Sequence, residues 1–375
     1  MDLESAPETT TKTSSEERIY VATQWQLMWY RFRRHKLALV GTVVAICLYL
    51  MALLSGFLAP YGSLERFAQH IYAPPQAVRF YADGKLQAPF VYALVPKPDP
   101  VTFRRIFEVD KTTRYPLRFF VHGIEYKLLG LIKTDLHLFG VDKGGTVFLL
   151  GTDILGRDVF TRILAGSVIS LSIGLVGVFT SFILGCLLGG ISGLYGGAID
   201  VIIQRIIEFL TSIPTIPLWM ALSAAVPKNW NAIQVYFAIT IILSLRAWTG
   251  LGRVVRGKLL QVKEEDFVMA ARLSGASDWR ILLRHLLPAT ISYLIVEMTL
   301  AIPQMILGET SLSFLGLGLR PPVVSWGVLL QLAQNVRTVT MNPWLLAPAV
   351  WVILTVMAFN FMGDGMRDAA DPYHR

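Results

Sequence analysis

Two long stretches without a charged residue constrain this chain more than any other feature of its sequence. Residues 37–58 are 22 consecutive positions without Asp, Glu, Lys or Arg, and residues 168–199 are equally free of charge. About 20 apolar residues in an α-helix cross the ~30 Å hydrocarbon core of a bilayer. Only 16% of the residues are charged, whereas ordinary soluble domains carry about 25%. These observations exclude a soluble single-domain enzyme and a disordered chain, and they indicate a polytopic membrane protein.

Further apolar runs raise the predicted number of transmembrane helices to six. The runs lie at residues 37–58, 168–199, 209–227, 229–245, 289–313 and 338–363. Gly185 and Gly189 in the second run form a small-xxx-small pair, which permits close helix approach, although glycine is also simply common in membrane helices. The sequence therefore predicts an all-α polytopic membrane protein.

Residues 62–157 differ from the rest of the chain. They hold charges of both signs, many prolines, and turn signals at residues 83–84 and 144–145. Short strand-like patches lie at residues 90–92 and 146–150. We predict a small extramembrane module, irregular or β, inserted between the first two membrane helices. The surface of residues 62–147 is a candidate contact for another protein, and a solvated surface without a partner fits the same residues equally well.

The distribution of Lys and Arg predicts the orientation of the helices. Residues 1–36 carry six of these cations and residues 246–288 carry eight, whereas the short segments on the other side carry few. Because cytoplasmic loops are enriched in Lys and Arg, both termini and the 246–288 loop are expected in the cytoplasm and residues 62–157 outside. We expect residues 1–18 to be disordered and residues 24–36 to form an interfacial helix.

Charge and motif content exclude several other functions. The cations behind the net charge of +8 cluster beside apolar runs, so they indicate membrane topology rather than nucleic-acid binding. Cys47 and Cys186 lie within apolar runs, and the histidines show no HxxxH or HExxH spacing, so no disulfide framework or zinc hydrolase is indicated. The sequence lacks GxxxxGK[ST], the loop that holds ATP phosphates. If the chain transports a solute, the energy would therefore have to come from a partner.

The polar loop at residues 246–288 is the most informative stretch of the chain. Three acidic residues at 264–266 favour the start of a short helix through residues 270–271, since anions stabilise a helix N-terminus. Gly275 would end that helix, and the Ser or Asp at 277–278 would cap a second one. Small residues around the bend would let another protein approach closely. A simple connecting loop is the alternative interpretation.

The residues of this loop resemble a known motif. The pattern Ala270-Ala271-x3-Gly275-x11-Leu287-Pro288 resembles the EAA loop of ABC importer permeases. Met269 stands where that motif has Glu and His285 where it has Ile, which is similar to the oligopeptide/dipeptide branch of the family. Three further stretches resemble the same branch: LGTDILGRD at residues 150–158, LSFLGLG at 312–318 and RDAADP at 367–372. The resemblance covers residues 30–60 and 148–373, and it leaves 62–147 unmatched.

This resemblance implies a type I ABC importer permease fold with six transmembrane helices and an extracytoplasmic insertion between helices 1 and 2. It also implies that the bend around Gly275 is a coupling helix that docks into a cytoplasmic ATPase. The residues expected at that interface are Asp266, Ala270, Ala271, Arg272, Gly275, Ala276, Asp278 and Arg284. The implied regions are a cytoplasmic tail and interfacial helix at 1–36, the first transmembrane helix at 37–59, the insertion at 60–157, the permease domain at 158–364 with its coupling loop at 252–288, and a cytoplasmic tail at 365–375.

The resemblance further implies a subunit that is not itself an enzyme and holds no cofactor. ATP and Mg²⁺ would bind two ATP-binding partner subunits. A second related permease chain would complete a heterodimer, and an extracytoplasmic binding protein would deliver the solute. The expected location is the bacterial inner membrane, in contact with the lipid bilayer and without nucleic acid. Peptides are the expected solutes, with oligosaccharides, opines or nickel chelates as alternatives.

Four residues in the membrane runs are candidates for the translocation path. Glu297 and Glu309 lie 12 residues apart in the fifth run, which is about 18 Å along one helix. A carboxylate at membrane depth is costly unless it is paired, protonated or faces a cavity, so a polar path and a buried structural role both fit. Pro214 and Pro217 interrupt the third run, and they indicate either a broken helix that lines a cavity or a packing kink.

Two other classes of function are compatible with the apolar runs. An ion-coupled secondary transporter would need a relay of titratable residues and an inverted repeat, and only Glu297 and Glu309 fit such a relay. A membrane-embedded enzyme would need a nucleophile and a base, such as GxSxG with a His, and this motif is absent. Dependence of transport on ATP would separate the permease from both alternatives.

Overall fold

The computed structural model describes residues 24–82, 84–100, 105–128, 130–142 and 144–370. The expected disorder of residues 1–18 and the last part of the expected C-terminal tail lie outside the described residues. The elements in chain order are α1 (Gln24–Arg34), α2 (Lys36–Leu53), α3 (Ser55–Leu58), β1 (Arg79–Ala82), β2 (Lys85–Pro98), β3 (Arg105–Leu128), β4 (Ile132–Val141), α4 (Val159–Tyr195), α5 (Gly197–Ser212), α6 (Thr215–Ala224), α7 (Ala232–Val262), α8 (Asp266–Leu273), α9 (Asp278–Ile281), α10 (Leu287–Phe314), α11 (Trp326–Gln331), α12 (Val336–Met341) and α13 (Ala347–Ala370).

Most of the predicted membrane helices are present. Within the described residues, five helical stretches are long and apolar enough to cross a membrane: α2, α4, α7, Asp278–Phe314 and Pro343–Ala370. The third predicted run is different, because α5 and α6 are bent by 89° relative to each other. These two helices add a sixth crossing if they form one broken span.

Two membrane helices extend beyond their apolar runs. α4 begins at Val159 rather than at residue 168, because the Asp158 side chain caps it by accepting a 2.8 Å hydrogen bond from the Thr161 N–H. α7 continues to Val262, so the first part of the expected polar loop is helical. Hydropathy therefore located these helices but underestimated their lengths, since charged ends can remain helical outside the apolar core.

The insertion is a β structure, so the all-α description holds only for the rest of the chain. In the described part, β1 to β4 form an antiparallel four-stranded sheet in the order β1-β2-β3-β4. The long strand β3 pairs with β2 along its first half and with β4 along its second half. Two small apolar clusters, centred on Val91 and Phe148, hold the sheet against the segment that leads into α4.

A buried ion cluster fixes the segment that leads into α4. The Asp153 carboxylate accepts a 2.8 Å hydrogen bond from Arg157 Nε and also pairs with the Arg162 guanidinium. Gly156 has a φ of +71°, and a Cβ there would collide with the carbonyl group of Phe67. The LGTDILGRD stretch therefore connects the insertion to α4 in a fixed conformation.

α4 packs closely against α7 at two glycines. A Cβ on Gly185 would lie 2.9 Å from the Leu251 side chain, and a Cβ on Gly189 would collide with the Gly252 carbonyl oxygen. The two backbones can approach this closely because neither glycine has a side chain. The prediction of a small-xxx-small contact is confirmed.

The start of α2 and the end of α13 lie at the opposite end of the bundle from the insertion. Ala38, at the start of α2, packs against Gly365 near the end of α13. At the far end of α2 and α3, the carbonyl oxygen of Ala59 contacts His137 of β4. α4 begins beside the insertion and runs back, so that Gly193 near its end packs against α7. The polar loop that follows α7 therefore lies at the end of the bundle that holds Ala38 and Gly365.

Candidate functional site

The polar loop folds into two helical arms joined by a tight bend, and we call residues 266–286 the elbow. α8 is the first arm. After it, the Gly275 N–H donates to the Arg272 carbonyl at 2.9 Å, and the Ala276 N–H donates to the Ala271 carbonyl at 3.1 Å. Gly275 has a φ of +76°. These bonds and the left-handed glycine make a Schellman motif, so Gly275 ends the first helix as predicted.

Ser277 begins the second arm of the elbow. Its hydroxyl accepts a 3.4 Å hydrogen bond from the Arg280 N–H, and α9 follows directly. A π-helical turn, Leu282–Leu286, then joins this arm to α10 without a loop. No loop separates the two, so the second arm and α10 form one continuous helical stretch, Asp278–Phe314.

Buried apolar side chains attach the elbow to the membrane helices. Val268 from α8 and Ile281 from α9 are both completely buried. They belong to one cluster that includes side chains of α4, α7 and α10, namely Cys186, Val255, Leu259, Val268, Ile281, Leu282, Leu286 and Leu294. Cys186 thus acts as a small apolar side chain. The elbow is a rigid extension of the bundle.

The opposite face of the elbow mixes exposed apolar side chains with arginines. Leu273 is 89% exposed, and Phe267 and Trp279 are about half exposed. The exposed arginines of the elbow are Arg272, Arg280 and Arg284. Exposed large apolar side chains beside charged groups are typical of a protein-contact surface. The sequence analysis did not identify Leu273. The indication available in the sequence was an apolar leucine within an otherwise polar loop.

Most of the residues predicted for the interface are accessible. The exposed ones are Asp266, Ala270, Arg272, Gly275, Asp278 and Arg284. Ala271 and Ala276 are half-buried, because their side chains pack against the apolar cluster that holds the elbow. The Ala276 N–H also donates the hydrogen bond to the Ala271 carbonyl that closes the bend.

Glu309 is fully buried in α10 and hydrogen-bonded by three serines. Its Oε1 accepts bonds from Ser313 at 2.7 Å and Ser325 at 2.6 Å, and its Oε2 accepts a bond from Ser170 at 3.3 Å. The Ser170 hydroxyl in turn accepts a 3.0 Å bond from the Trp326 N–H. The carboxylate thus links α4, α10 and α11. This placement favours the structural one of the two predicted roles.

Glu297 has a different environment from Glu309. It is half-buried and lines a cavity of about 240 Å³ between α4, α7 and α10, where Ser181 and Gly250 are among its neighbours. The Tyr293 side chain, one helical turn earlier, hydrogen-bonds with Glu297. A carboxylate on a cavity wall fits the path candidate, whereas Glu309, for which the family resemblance favours a structural role, is enclosed by serines.

The two prolines of the third run occupy different positions. The break lies between α5 and α6, where Pro214 caps α6 and its carbonyl accepts the Leu218 N–H at 3.1 Å. Pro217 lies in the first turn of α6. A backbone N–H in this turn has no carbonyl acceptor within the helix, so a proline, which lacks the N–H, does not break the helix there. Both prolines are exposed in this chain.

An ion pair that the sequence interpretation missed joins the bent helices to α7. Arg256 donates to Asp200 through Nε at 2.6 Å and through Nη2 at 2.5 Å. Asp200 also accepts a hydrogen bond from Ser192 near the end of α4. The bidentate geometry fixes α4, α5 and α7 relative to one another close to the elbow. The two charges lie 56 positions apart, so no local pattern indicates the pair.

Together these features define a class of protein: a multi-pass membrane protein with a cavity between its helices and a rigid elbow exposed at one end. Residues 181–374 match the family model for the binding-protein-dependent transport system inner membrane component. Residues 23–75 match the N-terminal TM domain of oligopeptide transport permease C.

Curated relatives show the same similarity. The dipeptide transport system permease protein DppC of Bacillus subtilis is 31% identical over 346 residues, which cover 92% of this chain and 84% of that protein. The glutathione transport system permease protein GsiD of Pectobacterium atrosepticum is 40% identical over 60% of this chain and 72% of its own. An inward-facing structure of the MetNI methionine ABC transporter covers 56% of this chain and 96% of its own, at 21% identity and a TM-score of 0.42.

The chain therefore belongs to the family of binding-protein-dependent transport system inner membrane components. It is a membrane-embedded permease subunit of an ABC importer. The resemblance carried by the bend around Gly275 and by the three further motifs is confirmed.

Proposed function

We propose that this chain forms half of the translocation path of an ATP-driven importer of peptides. The relatives support this substrate class, because one is described as a dipeptide permease and another as a glutathione permease. The match to a domain of an oligopeptide permease points the same way. A second, related permease chain forms a heterodimer with this one and supplies the other half of the path. An extracytoplasmic binding protein delivers the peptide.

The proposed topology places both termini and the elbow in the cytoplasm and the insertion outside the inner membrane. The eight Lys and Arg residues of the 246–288 region support this orientation. The contact between Ala38 and Gly365, at the end of the bundle opposite the insertion, is consistent with it. With α5 and α6 as one broken crossing, six transmembrane helices connect the two sides. The proposed regions are the cytoplasmic tail and interfacial helix at 1–36, the first transmembrane helix at 37–59, the insertion at 60–157, the permease domain at 158–364 and the cytoplasmic tail at 365–375.

ATP hydrolysis is assigned to two ATP-binding subunits, which hold ATP and Mg²⁺ on the cytoplasmic side. This chain acts as the non-catalytic transmembrane subunit, without a cofactor of its own. Energy enters through the elbow, whose contact residues run from Asp266 to Arg284. When the ATPase pair closes, it displaces the elbow, and α10 moves with it as part of a rigid body. Such a motion produces alternating access.

The observation that carries this coupling role is the exposure of Leu273 on a rigid bend. Leu273 is the last residue of α8 and is 89% exposed. Full burial of a leucine side chain stabilises a structure by about 1.5–3 kcal/mol, so a protein partner is expected to cover it. The Schellman motif that follows fixes the direction of this side chain relative to the bundle.

A charged substitution at Leu273 tests the docking role. The full complex with Leu273→Asp is purified and placed in proteoliposomes, and the binding of the ATPase subunits is measured together with ATP-driven peptide uptake. A carboxylate at this position opposes burial against the partner. We expect the affinity for the ATPase to fall by about ten-fold or more, since 1.4 kcal/mol corresponds to about ten-fold.

Leu86 provides a matched control for this experiment. It is 82% exposed, but it lies in the insertion at the other end of the bundle. Leu86→Asp should therefore leave the affinity for the ATPase unchanged. Normal affinity and uptake with Leu273→Asp, or equal losses in both variants, would contradict the docking role.

A further inference from the structure

The hairpin of β3 and β4 lies beside the end of the first membrane helix. The Tyr126 ring of β3 covers Gly56, where a Cβ would collide with it. His137 of β4 lies 2.5 Å from the carbonyl oxygen of Ala59 through Nδ1, and 3.0 Å from that of Ile124 through Nε2. The hairpin is therefore in direct contact with the residues at which the chain leaves the bilayer.

These contacts also show the direction in which the hairpin points. The Ile124 side chain lies 3.5 Å from where a Cβ on Gly62 would lie, whereas the Tyr126 ring lies against Gly56, six residues earlier in the chain and nearer to the end of α2. Phe120, nearer to the base of the hairpin, has its ring 6.3 Å from that of Phe57. β3 ends at Leu128, two residues beyond Tyr126, and β4 begins at Ile132. The turn between these strands, with Gly130 and Leu131, is the end of the hairpin farthest from the Leu117–Val141 pair at its base.

The tip of the hairpin presents apolar side chains to its surroundings. The sequence from residue 127 to residue 133 reads KLLGLIK. Leu131 is 83% exposed and Ile132 is 60% exposed. Neighbouring exposed apolar side chains of this kind indicate a contact surface.

Two lysines flank this apolar tip and face each other across the hairpin. Lys127 and Lys133 are register partners in the β3–β4 ladder, and both are exposed. Like charges at directly opposed positions repel each other. Neither lysine forms an ion pair with another residue in the described part of the chain. An anion bound between the two ammonium groups would remove the repulsion, and the phosphates of lipid headgroups carry the required charge.

We propose that the tip of the β3–β4 hairpin inserts into the bilayer interface beside the first membrane helix. Leu131 and Ile132 contact the upper acyl chains, and Lys127 and Lys133 bind lipid phosphates. The depth is limited, because β4 is an edge strand and its unpaired backbone groups cannot enter the hydrocarbon core. The tip thus stays at the boundary of headgroups and acyl chains. It anchors the sheet to the membrane surface, independently of the transported solute.

A fluorescent probe at the tip tests this proposal. The full chain is prepared with Cys47→Ala and Cys186→Ala, and Leu131→Cys is then labelled with an environment-sensitive fluorophore. The protein is placed in nanodiscs that contain phosphatidylglycerol and a lipid spin-labelled close to its headgroup. We expect the emission of the probe to shift to the blue and its intensity to be lost through quenching by the spin label.

The other hairpin of the insertion supplies the control position. Leu86 is 82% exposed and lies just after the turn between β1 and β2. A probe at Leu86→Cys should emit as it does in water and should keep its intensity. If the probe at Leu131→Cys behaves in the same way as this control, the tip does not reach the lipid and the proposal is wrong.

A second pair of variants tests the phosphate contact. Lys127→Gln combined with Lys133→Gln should reduce the quenching at Leu131→Cys. It should also abolish the difference between nanodiscs of phosphatidylglycerol and nanodiscs of phosphatidylcholine. A blue shift that requires the second permease chain and occurs without quenching by lipid would assign the tip to a protein contact, and this result would overturn the proposal.

Discussion

Ser325 Oγ donates a 2.6 Å hydrogen bond to Glu309 Oε1 across 16 positions of sequence. The same carboxylate oxygen accepts the Ser313 hydroxyl at 2.7 Å. A carboxylate inside a membrane helix costs several kcal/mol when it is unpaired, and these hydrogen bonds offset that cost. Glu309 therefore holds α11 against α10, and its role can be separated experimentally from a role in transport.

Removal of the Glu309 carboxylate should destabilise the bundle. Glu309→Ala leaves three serine hydroxyls without an acceptor, and each buried group that loses its partner costs about 1–3 kcal/mol. We expect a marked decrease in the free energy of unfolding, measured by SDS-induced unfolding in mixed micelles. A smaller yield of monodisperse protein should accompany it.

Glu309→Gln is the control for charge. The amide keeps the oxygen that accepts from Ser313 and Ser325, so the stability of this variant should be close to that of the unmodified protein. Peptide uptake by Glu309→Gln should also be retained. Normal stability combined with lost uptake would show that the negative charge itself takes part in transport, contrary to the structural role.

The ion cluster before α4 should be one of the most sensitive points of the fold. Asp153→Ala leaves the guanidinium of Arg162, which is only 2% exposed, without its partner. Removal of one member of a buried ion pair costs about 3–5 kcal/mol, because the remaining charge is still desolvated. We expect a decrease of this size in the free energy of unfolding.

An exposed ion pair in the insertion gives the comparison. Arg118 and Asp142 approach to 2.9 Å, but their side chains are 64% and 53% exposed. Asp142→Ala should therefore change the free energy of unfolding by less than about 1 kcal/mol. Similar losses for Asp153→Ala and Asp142→Ala would show that burial does not determine the strength of these pairs.

We expect a substitution at Gly275 to impair the contact with the partner subunit more than the folding of this chain. Its φ of +76° disfavours most side chains, but a Cβ built there meets no atom within 4 Å. Asp tolerates this left-handed conformation better than most residues. Gly275→Asp should therefore insert and fold normally while ATP hydrolysis no longer drives uptake, as measured in proteoliposomes.

Gly84 is matched to Gly275 in backbone conformation and differs in position. It also has a φ of +76° and open space around its Cβ, but it lies in the turn between β1 and β2. Gly84→Asp should leave the coupling of ATP hydrolysis to uptake intact. Normal coupling in Gly275→Asp would remove the evidence that a partner packs against the bend.

The membrane helices and the bend could be predicted because local physics determines them. A run without charges such as residues 37–58 has few alternatives to a membrane helix. A glycine between two helical patterns marks a C-terminus, since only a residue without a Cβ adopts the left-handed conformation readily. For this reason the prediction that Gly275 ends the first arm agrees with the structure.

The sheet and the roles of the acidic residues depend on contacts that are remote in sequence. Most side chains of β3 are exposed on both faces, so the strand lacks the alternation of apolar and polar residues that reveals a half-buried strand. Glu297 and Glu309 lie in one helix, and their environments differ because Ser170 and Ser325 surround only the second. The only sequence indication was the family resemblance of the LSFLGLG stretch beside Glu309, which favours a structural role for that residue but does not reveal the serine contacts.

Glu297 should affect transport more than stability. It lines the cavity between α4, α7 and α10, where its carboxylate can attract the ammonium group of a peptide with a free amino terminus. Hydrogen bonds to charged groups contribute about 1.5–3 kcal/mol. Glu297→Gln should therefore lower the initial rate of uptake of such a peptide by about ten-fold, with little change in the free energy of unfolding.

An N-acetylated version of the same peptide distinguishes an effect on the solute from an effect on the helix. This peptide has no ammonium group for Glu297 to attract, so its uptake should already be slow in the unmodified protein. Its rate should also change little in Glu297→Gln. If the substitution slows both peptides by the same factor, the carboxylate supports the packing of α10, through its hydrogen bond with Tyr293, rather than contact with the solute.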